Sequence, residues 1–274
     1  MNNNAKIIFE SSLTASAIEV LETADPDEKV KLSLLISKNW DKGALLMLDN
    51  GIPPTYPARP VHPRLIHPTK VARRRINTEA SGRVALLHAL AHIELNAIDL
   101  AWDIIARFSC LELPKQFFTD WIQVATEEAK HFSILSQRLS DFDKKYGDLD
   151  AHDGLWDSAW ATQHDLAARL AIVPLVLEAR GLDVTPNMIV KLRKVGDEKS
   201  AEILEIIYKD EIQHVRIGKI WFDFICASRG VPPKKAWQNY VAKFFKGNLK
   251  PPFNKIARDC AGIPDSWYNN KLSL

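Results

Sequence analysis

The feature that most constrains this chain is a pattern, Glu-x-x-His, that occurs twice, each time after a lone glutamate at nearly the same distance. Glu94 lies 34 residues before the first copy and Glu178 lies 33 residues before the second. Each interval has the length of one long helix and a turn. In a four-helix bundle this arrangement directs all six side chains inward, as the ligands of a carboxylate-bridged dimetal site. The predicted ligands are Glu94, Glu128, His131, Glu178, Glu211 and His214.

The predicted ligands interrupt stripes of apolar residues on their helices. Glu94, for example, has Ala91 and Ile98 on its own helical face. Buried carboxylates cost several kcal/mol per ion unless cations offset them. Two divalent ions would balance four carboxylates, with both imidazoles neutral, and this donor set suits iron or manganese better than zinc. A single Glu-x-x-His more often lies on a solvated helix face, so the prediction depends on the two copies together.

Two further acidic residues are candidates for orienting the histidines. A metal-bound histidine usually donates its other ring N–H to a carboxylate or carbonyl. Asp210 and Glu127 each directly precede a predicted ligand, so we expect Asp210 to bond His131 and Glu127 to bond His214. The alternative is that both are exposed on the surface, and for Glu127 the two interpretations have equal weight.

Helical periodicity and helix-ending residues predict an all-α chain without strands. Residues 50–68 hold six prolines and predict an irregular strap lying on a surface. Pro174, four residues before Glu178, predicts a kink or a tolerated bend beside the site. We expect a Gly- and Pro-rich coil at 247–274. The predicted helices are two within 11–41, then 79–108, 114–146, 157–180 ending at Gly181, 186–196 begun by Pro186, 198–228 and 233–246.

The helices divide the 274 residues into three predicted regions. Residues 1–78 would form N-terminal helices and the strap, 79–230 a four-helix bundle, and 231–274 a C-terminal helix and coil extension. There is no apolar run of 18 residues and no secretory signal, so neither a membrane span nor export is expected. Three cysteines without a CxxC pair indicate reduced thiols in a cytoplasmic protein.

Other polar clusters have less specific interpretations. Polar residues form a stripe along one face of the first bundle helix, and this pattern favours a hydrogen-bond network there over a second metal site. Basic clusters, one around Arg73–Arg75 and one within 243–258, are candidates for contacting an anionic substrate or RNA. A net charge of only +2 favours solvated surface for both clusters. The stripe comprises His88, His92, Asn96, Asp99 and Asp103.

Several segments resemble a known family. The segments 92–98, 128–132, 154–156, 178–183 and 210–215 are similar to those of the ferritin-like family called domain of unknown function 455. The resemblance covers roughly residues 15–265. It implies a ferritin-like four-helix bundle with extra N- and C-terminal helices, and a dinuclear metal site at the six positions. It implies no reaction, and Glu127 departs from the aspartate more usual in the family, which puts its role in doubt.

The leading functional hypothesis is a di-iron oxidoreductase that activates dioxygen or peroxide to oxidise a small organic substrate. Manganese or a mixed iron–manganese pair are alternative cofactors, and the sequence identifies no catalytic residue apart from the ligands. Alternative functions are iron oxidation and storage, peroxide scavenging, or a non-catalytic scaffold stabilised by metal. Nucleic acid is a weakly supported partner, no membrane partner is expected, and a homodimer is the assembly considered.

Overall fold

The computed structural model describes residues 12–45, 51–71 and 74–269, and within these ranges the protein is all-α, as predicted. An isolated β-bridge joins Leu65 and Ala151. The described helices are α1 Leu13–Glu22, α2 Pro26–Asp41, α3 Ala80–Arg107, α4 Lys115–Ser140, α5 Gly154–Ala161, α6 Leu166–Ile172, α7 Ala179–Lys194, α8 Glu198–Ser228, α9 Pro233–Phe244, α10 Lys255–Cys260 and α11 Asp265–Tyr268, with a 3-10 turn at Pro68–Lys70 and a π segment at Val173–Glu178.

Two compact units make up the described chain. The first comprises residues up to Pro60 together with Ala97–Lys130, and the second comprises Val61–Asn96 and the residues from His131 onward. The predicted division at 78 and 230 remains a prediction, and parts of its first and last regions, 1–11, 46–50, 72–73 and 270–274, lie outside the described residues.

In the first unit, buried polar contacts attach α2 to the adjoining half of α3. The buried Asp99 carboxylate pairs with both Lys29 and Arg59. Trp102 Nε1 donates to Ser33 Oγ at 2.9 Å. Burial lowers the pKa of Lys29, while the charge of Asp99 acts in the opposite direction. Removal of one partner of such a buried ion pair would leave an uncompensated charge in the interior, so the contact favours keeping these residues together.

The predicted proline-rich strap is irregular over its described residues. In the first unit the Ala58 N–H donates to Leu21 O at 2.7 Å, and Arg107 Nη2 donates to Pro54 O at 3.0 Å. In the second unit the Ile66 N–H donates to Ala151 O at 2.8 Å, and the Ala151 N–H donates to Arg64 O at 2.9 Å. Because main-chain groups of the strap take part in these bonds, the strap is held in place without forming a helix or a strand.

The prediction of one helix over 157–180 is wrong. Helix α5 ends at Ala161, and Asp165 begins α6 by accepting from the Ala167 N–H at 2.9 Å. An aspartate before an apolar run often begins a helix, because its carboxylate accepts a hydrogen bond from a backbone N–H of the first turn that has no partner within the helix. The sequence prediction overlooked this signal within a longer apolar pattern.

The predicted helix boundary between 181 and 186 is also wrong, because α7 runs through both Gly181 and Pro186. Proline has no N–H, so the carbonyl four residues earlier loses its helical donor. Asn254 Nδ2 donates to that carbonyl, Leu182 O, at 3.1 Å. A side chain distant in sequence therefore compensates for the proline, which a local pattern cannot predict.

The other boundaries lie close to their predictions, except at the end of α4. The prediction continued this helix to 146, but it ends at Ser140. The Leu139 carbonyl accepts from the N–H groups of Phe142 and Lys144, and Asp143 between them has φ +53°. A left-handed residue of this kind commonly terminates a helix.

Helix α3 is long and apolar enough to cross a membrane by length and composition alone. However, 78% of its most apolar window is buried inside the protein. Such burial is typical of the core helix of a soluble protein.

The segment predicted as coil over 247–274 contains α10 and α11, which corrects that prediction. A buried ion pair holds it to α7, because Arg258 Nε and Nη2 donate to the two Asp183 carboxylate oxygens at 2.8 and 2.7 Å. This bidentate geometry is the strongest form of an arginine–carboxylate contact.

The polar stripe on α3 forms hydrogen bonds to other elements, as predicted. His92 Nδ1 lies 2.8 Å from the Tyr146 hydroxyl, and its Nε2 lies 3.0 Å from His152 O. The Gly147 N–H donates to His88 Nε2 at 3.0 Å. Burial lowers the pKa of His88, which keeps this ring neutral and able to accept.

Candidate metal centre

Most of the predicted ligands are buried. Glu128 and His214 expose none of their surface, His131 exposes 1% and Glu94 3%. Glu211 is largely covered, with 14% of its side chain exposed, and Glu178 is half-buried. Their positions are Glu94 on α3, Glu128 and His131 one turn apart on α4, Glu178 at the end of the π segment, and Glu211 and His214 one turn apart on α8.

Four of the six predicted ligands converge on one point. Glu94, Glu128, His131 and Glu211 each offer one ligand atom, and these atoms all lie within 4.8 Å of one another. Atoms bound to one ion at about 2.1 Å can be at most about 4.2 Å apart, so small side-chain movements suffice to enclose a metal. The chain therefore contains a Glu/His cluster that could bind a metal ion.

The remaining two predicted ligands are not members of that close group. His214 lies beside it, with Nδ1 3.8 Å from Glu211 Oε1 and its ring centroid 5.7 Å from that of His131. The participation of Glu178 remains a prediction, supported by its place at the end of the π segment. A second ion beside the first would need the carboxylate and imidazole of these two residues.

Hydrogen bonds define the orientation of His131. Its Nδ1 lies 3.3 Å from Glu94 Oε2, and its Nε2 lies 3.0 Å from Asp210 Oδ2. Both ring nitrogens thus face carboxylate oxygens. If a metal ion binds Nδ1, the ring proton lies on Nε2 and is donated to Asp210. The predicted Asp210–His131 contact is present, and in that tautomer it directs the Nδ1 lone pair towards the cluster.

Glu127 has a different neighbour in the structure. Its Oε1 accepts from Gln123 Nε2 at 3.1 Å, one turn earlier on α4. The bond between Glu127 and His214 that the sequence predicts therefore remains a prediction. A half-buried carboxylate at this position has additional contacts beyond Gln123.

A close helix approach positions the backbone near Glu178. Pro174 lies in the π segment one turn before Glu178, and Gly218 lies on α8 one turn after His214. A Cβ at Gly218 would be only 2.4 Å from Pro174 Cβ. Glycine therefore permits contact between the π segment and α8. The kink predicted at Pro174 takes the form of this π segment. Such segments are frequent at functional sites.

Sequence reasoning missed Tyr146 as the packing partner of Phe132, the residue after the predicted ligand His131. The Tyr146 ring packs edge-on against Phe132, with centroids 5.3 Å apart. The prediction placed Tyr146 at the end of α4, where its side chain had no assigned partner. Its position in the loop after α4 depends on the early end of that helix.

Comparisons with known proteins place the chain in the family that its sequence segments resemble, a family of unknown activity. The chain matches the family described as "Protein of unknown function (DUF455)" over residues 22–269. A relative from Haemophilus influenzae, named only as an uncharacterized protein, is 40% identical over 253 residues, which cover 89% of this chain and 88% of the relative. No solved structure matches the chain significantly. The protein belongs to the DUF455 family.

Proposed function

We propose that this protein is a di-iron oxidoreductase that uses dioxygen or peroxide to oxidise a small organic substrate. One observation carries the proposal: the ligand atoms of Glu94, Glu128, His131 and Glu211 lie within 4.8 Å of one another in a largely buried setting. Glu178 and His214 would complete a set of four carboxylates and two imidazoles. The formal charges then balance two divalent cations.

The donor set supports iron or manganese. It consists of carboxylate oxygens and imidazole nitrogens and includes no thiolate, and it offers more than the four ligands of a structural zinc site. A ferrous pair, when bound, would supply two electrons for the reduction of dioxygen or peroxide. Manganese or a mixed pair would fit the same donors, so metal analysis decides the native ion.

The surrounding residues orient the ligands and exclude water. Asp210 holds the Nε2 proton of His131 and leaves Nδ1 available to a cation. Fully buried apolar side chains, among them Ala91 and Ile98 on α3, flank Glu94. Exclusion of water strengthens electrostatic interactions within the centre and protects reactive species from side reactions. We place the protein in the cytoplasm, because all three cysteines are free thiols.

The test is an anaerobic titration with ferrous iron followed by exposure to oxygen. We expect saturation at two ions per chain and then consumption of dioxygen. Uptake of many irons per chain would instead indicate iron handling, and two ions without oxygen consumption would indicate a structural site. Either result would overturn the proposal.

A matched pair of histidine variants provides the control. His214→Ala should lose metal, because the fully buried imidazole belongs to the proposed ligand set. His67→Ala should not, because this exposed ring bonds Thr69 in the 3-10 turn. Equal metal content in the two variants would count against the assignment of His214.

A further inference from the structure

We propose that a cavity between α3 and α7 binds the phosphate group of a phosphorylated small molecule. The cavity has a volume of about 570 Å³. Leu86 of α3, four residues of α7 and the segment preceding α3 line it. This size lies within the range of small-molecule sites. The claim that this phosphorylated molecule is the substrate rests on the proposed function. The claim that the cavity binds an anion does not depend on it.

The polar lining of the cavity is entirely basic or neutral. Arg74, Arg75 and Lys191 contribute three cations, and Asn77 and Asn187 contribute carboxamides. None of the described lining residues is acidic. A phosphate monoester carries nearly two negative charges and three acceptor oxygens, which this combination of donors matches.

Several arginines of the second unit outside the cavity have carboxylate partners. Arg83, Arg138 and Arg193 each pair with a carboxylate. Within the described ranges, neither Arg74 nor Arg75 forms an ion pair. The pKa of Arg74 lies below its ordinary value, because surrounding protein atoms desolvate the guanidinium. Arg74, Arg75 and Lys191 are exposed, so they lie at the open side of the cavity. An anion bound there would supply the counter-charge that Arg74 and Arg75 lack among the described residues.

The backbone holds the arginine segment against α3. Gly82, in the first turn of α3, approaches so closely that a Cβ there would lie 2.0 Å from Arg75 O. Asn77 Oδ1 is buried and makes no hydrogen bond to any described residue. An amide can be turned by 180° without changing its shape, so Asn77 can present either an acceptor or a donor to a ligand.

The elements that line the cavity continue along the chain to two predicted metal ligands. Leu86 lies eight residues before Glu94 on α3, which corresponds to about 12 Å along the helix. Val184 lies six residues after Glu178, about 9 Å along α7. A molecule anchored by its phosphate would need an organic body of roughly this length to reach the centre. Leu86, Val184 and Met188 supply apolar surface for such a body.

The convergence of the cations on one cavity favours a small molecule over RNA. An RNA backbone is usually bound by basic residues spread along a surface, with aromatic side chains that stack on bases. No aromatic residue is among those that line this cavity. One phosphate group with an apolar or planar body therefore fits the lining better than a polynucleotide.

The test is isothermal titration calorimetry of the metal-free protein with phenyl phosphate, benzoate and a short single-stranded RNA. We expect phenyl phosphate to bind more tightly than benzoate. The double variant Arg75→Gln/Lys191→Gln should weaken that binding by about tenfold or more, because two charged hydrogen bonds are lost. Lys194→Gln, on the same helix outside the cavity, should bind as the unmodified protein does.

A second variant tests the charge of the cavity directly. Asn187→Asp preserves the side-chain shape and should also weaken phenyl phosphate binding. Equal binding by all variants, no binding of phenyl phosphate, or equal affinity for benzoate would overturn the proposal. If the RNA binds more tightly than phenyl phosphate and the same variants abolish RNA binding, the ligand of the cavity is a polynucleotide and the small-molecule proposal is wrong.

Metal content separates this inference from the proposed function. The double variant should retain the full metal complement of the unmodified protein, because none of its altered residues is a predicted ligand. Loss of phosphate binding with metal retained would support the cavity. Phosphate binding by a protein that takes up no metal would leave the cavity valid and overturn only the oxidoreductase.

Discussion

At the residue scale, the burial of acidic side chains could be predicted from their position among apolar neighbours. Glu94 and Glu128 expose 3% and 0% of their surface, as their helical stripes indicate. The hydrogen bond from His131 to Asp210 could also be predicted, because metal-bound histidines commonly have such a partner. The neighbour of Glu127 could not, because the sequence alone does not distinguish Gln123, one turn earlier on α4, from a histidine on another helix.

Replacement of Asp210 by alanine should weaken metal binding by about 10- to 100-fold. The His131 ring would lose the acceptor 3.0 Å from Nε2 that fixes its tautomer and orientation. Competition with a chromophoric chelator measures the change. Glu202→Ala, an exposed acidic residue on the same helix, is the control and should have no effect. Unchanged affinity in the Asp210 variant would contradict the orienting role.

Asp153 should make the free energy of unfolding depend on pH. Burial, and secondarily the charge of Asp157, raises the pKa of Asp153 to about 7 from an ordinary value of 3.8. Because the pKa is higher in the folded state, the stabilising contribution is complete below about pH 4 and disappears as the pH rises through about 7. Asp153→Asn should therefore gain stability relative to the unmodified protein over this interval.

Urea unfolding of the metal-free proteins at several pH values measures the difference. Removal of metal avoids confusion with protonation of the metal ligands. Asp259→Asn, an exposed position on α10, serves as the control and should follow the unmodified protein. Parallel stability curves for Asp153→Asn and the unmodified protein would show that Asp153 is ionised normally.

At the scale of elements, the long helices could be predicted and the interrupted one could not. Helices α3 and α8 follow from uninterrupted periodicity and clear ends. The succession of α6, the π segment and α7 depends on tertiary contacts. Asn254 supplies the hydrogen bond that Pro186 removes, and Gly218 makes space for Pro174. Residues so distant in sequence leave no local signal.

Gly218→Ala should destabilise the protein by about 1–3 kcal/mol, because the new methyl would overlap the Pro174 ring. Better helix propensity offsets up to about 1 kcal/mol of this loss. The free energy of urea unfolding measures the net effect. The control is Gly181→Ala in α7, where a Cβ would meet nothing within 4 Å, and this change should be neutral or stabilising. Equal effects of the two substitutions would contradict the close approach.

At the scale of the whole molecule, the family could be predicted from the sequence. Segments in the sequence resemble domain of unknown function 455, and the family match covers residues 22–269. The all-α class follows from sequence periodicity, and the described residues confirm it. The substrate could not be predicted, because its proposed cavity combines a loop before α3 with residues of α7 that form no sequence motif.

The most direct test of the central claim is the metal content of Glu128→Ala beside that of the unmodified protein. Both are loaded anaerobically, desalted and analysed by elemental mass spectrometry, and circular dichroism verifies their helicity. We predict two ions per chain in the unmodified protein and loss of the pair in the variant, with helicity unchanged. Retention of both ions by Glu128→Ala would contradict the proposed centre.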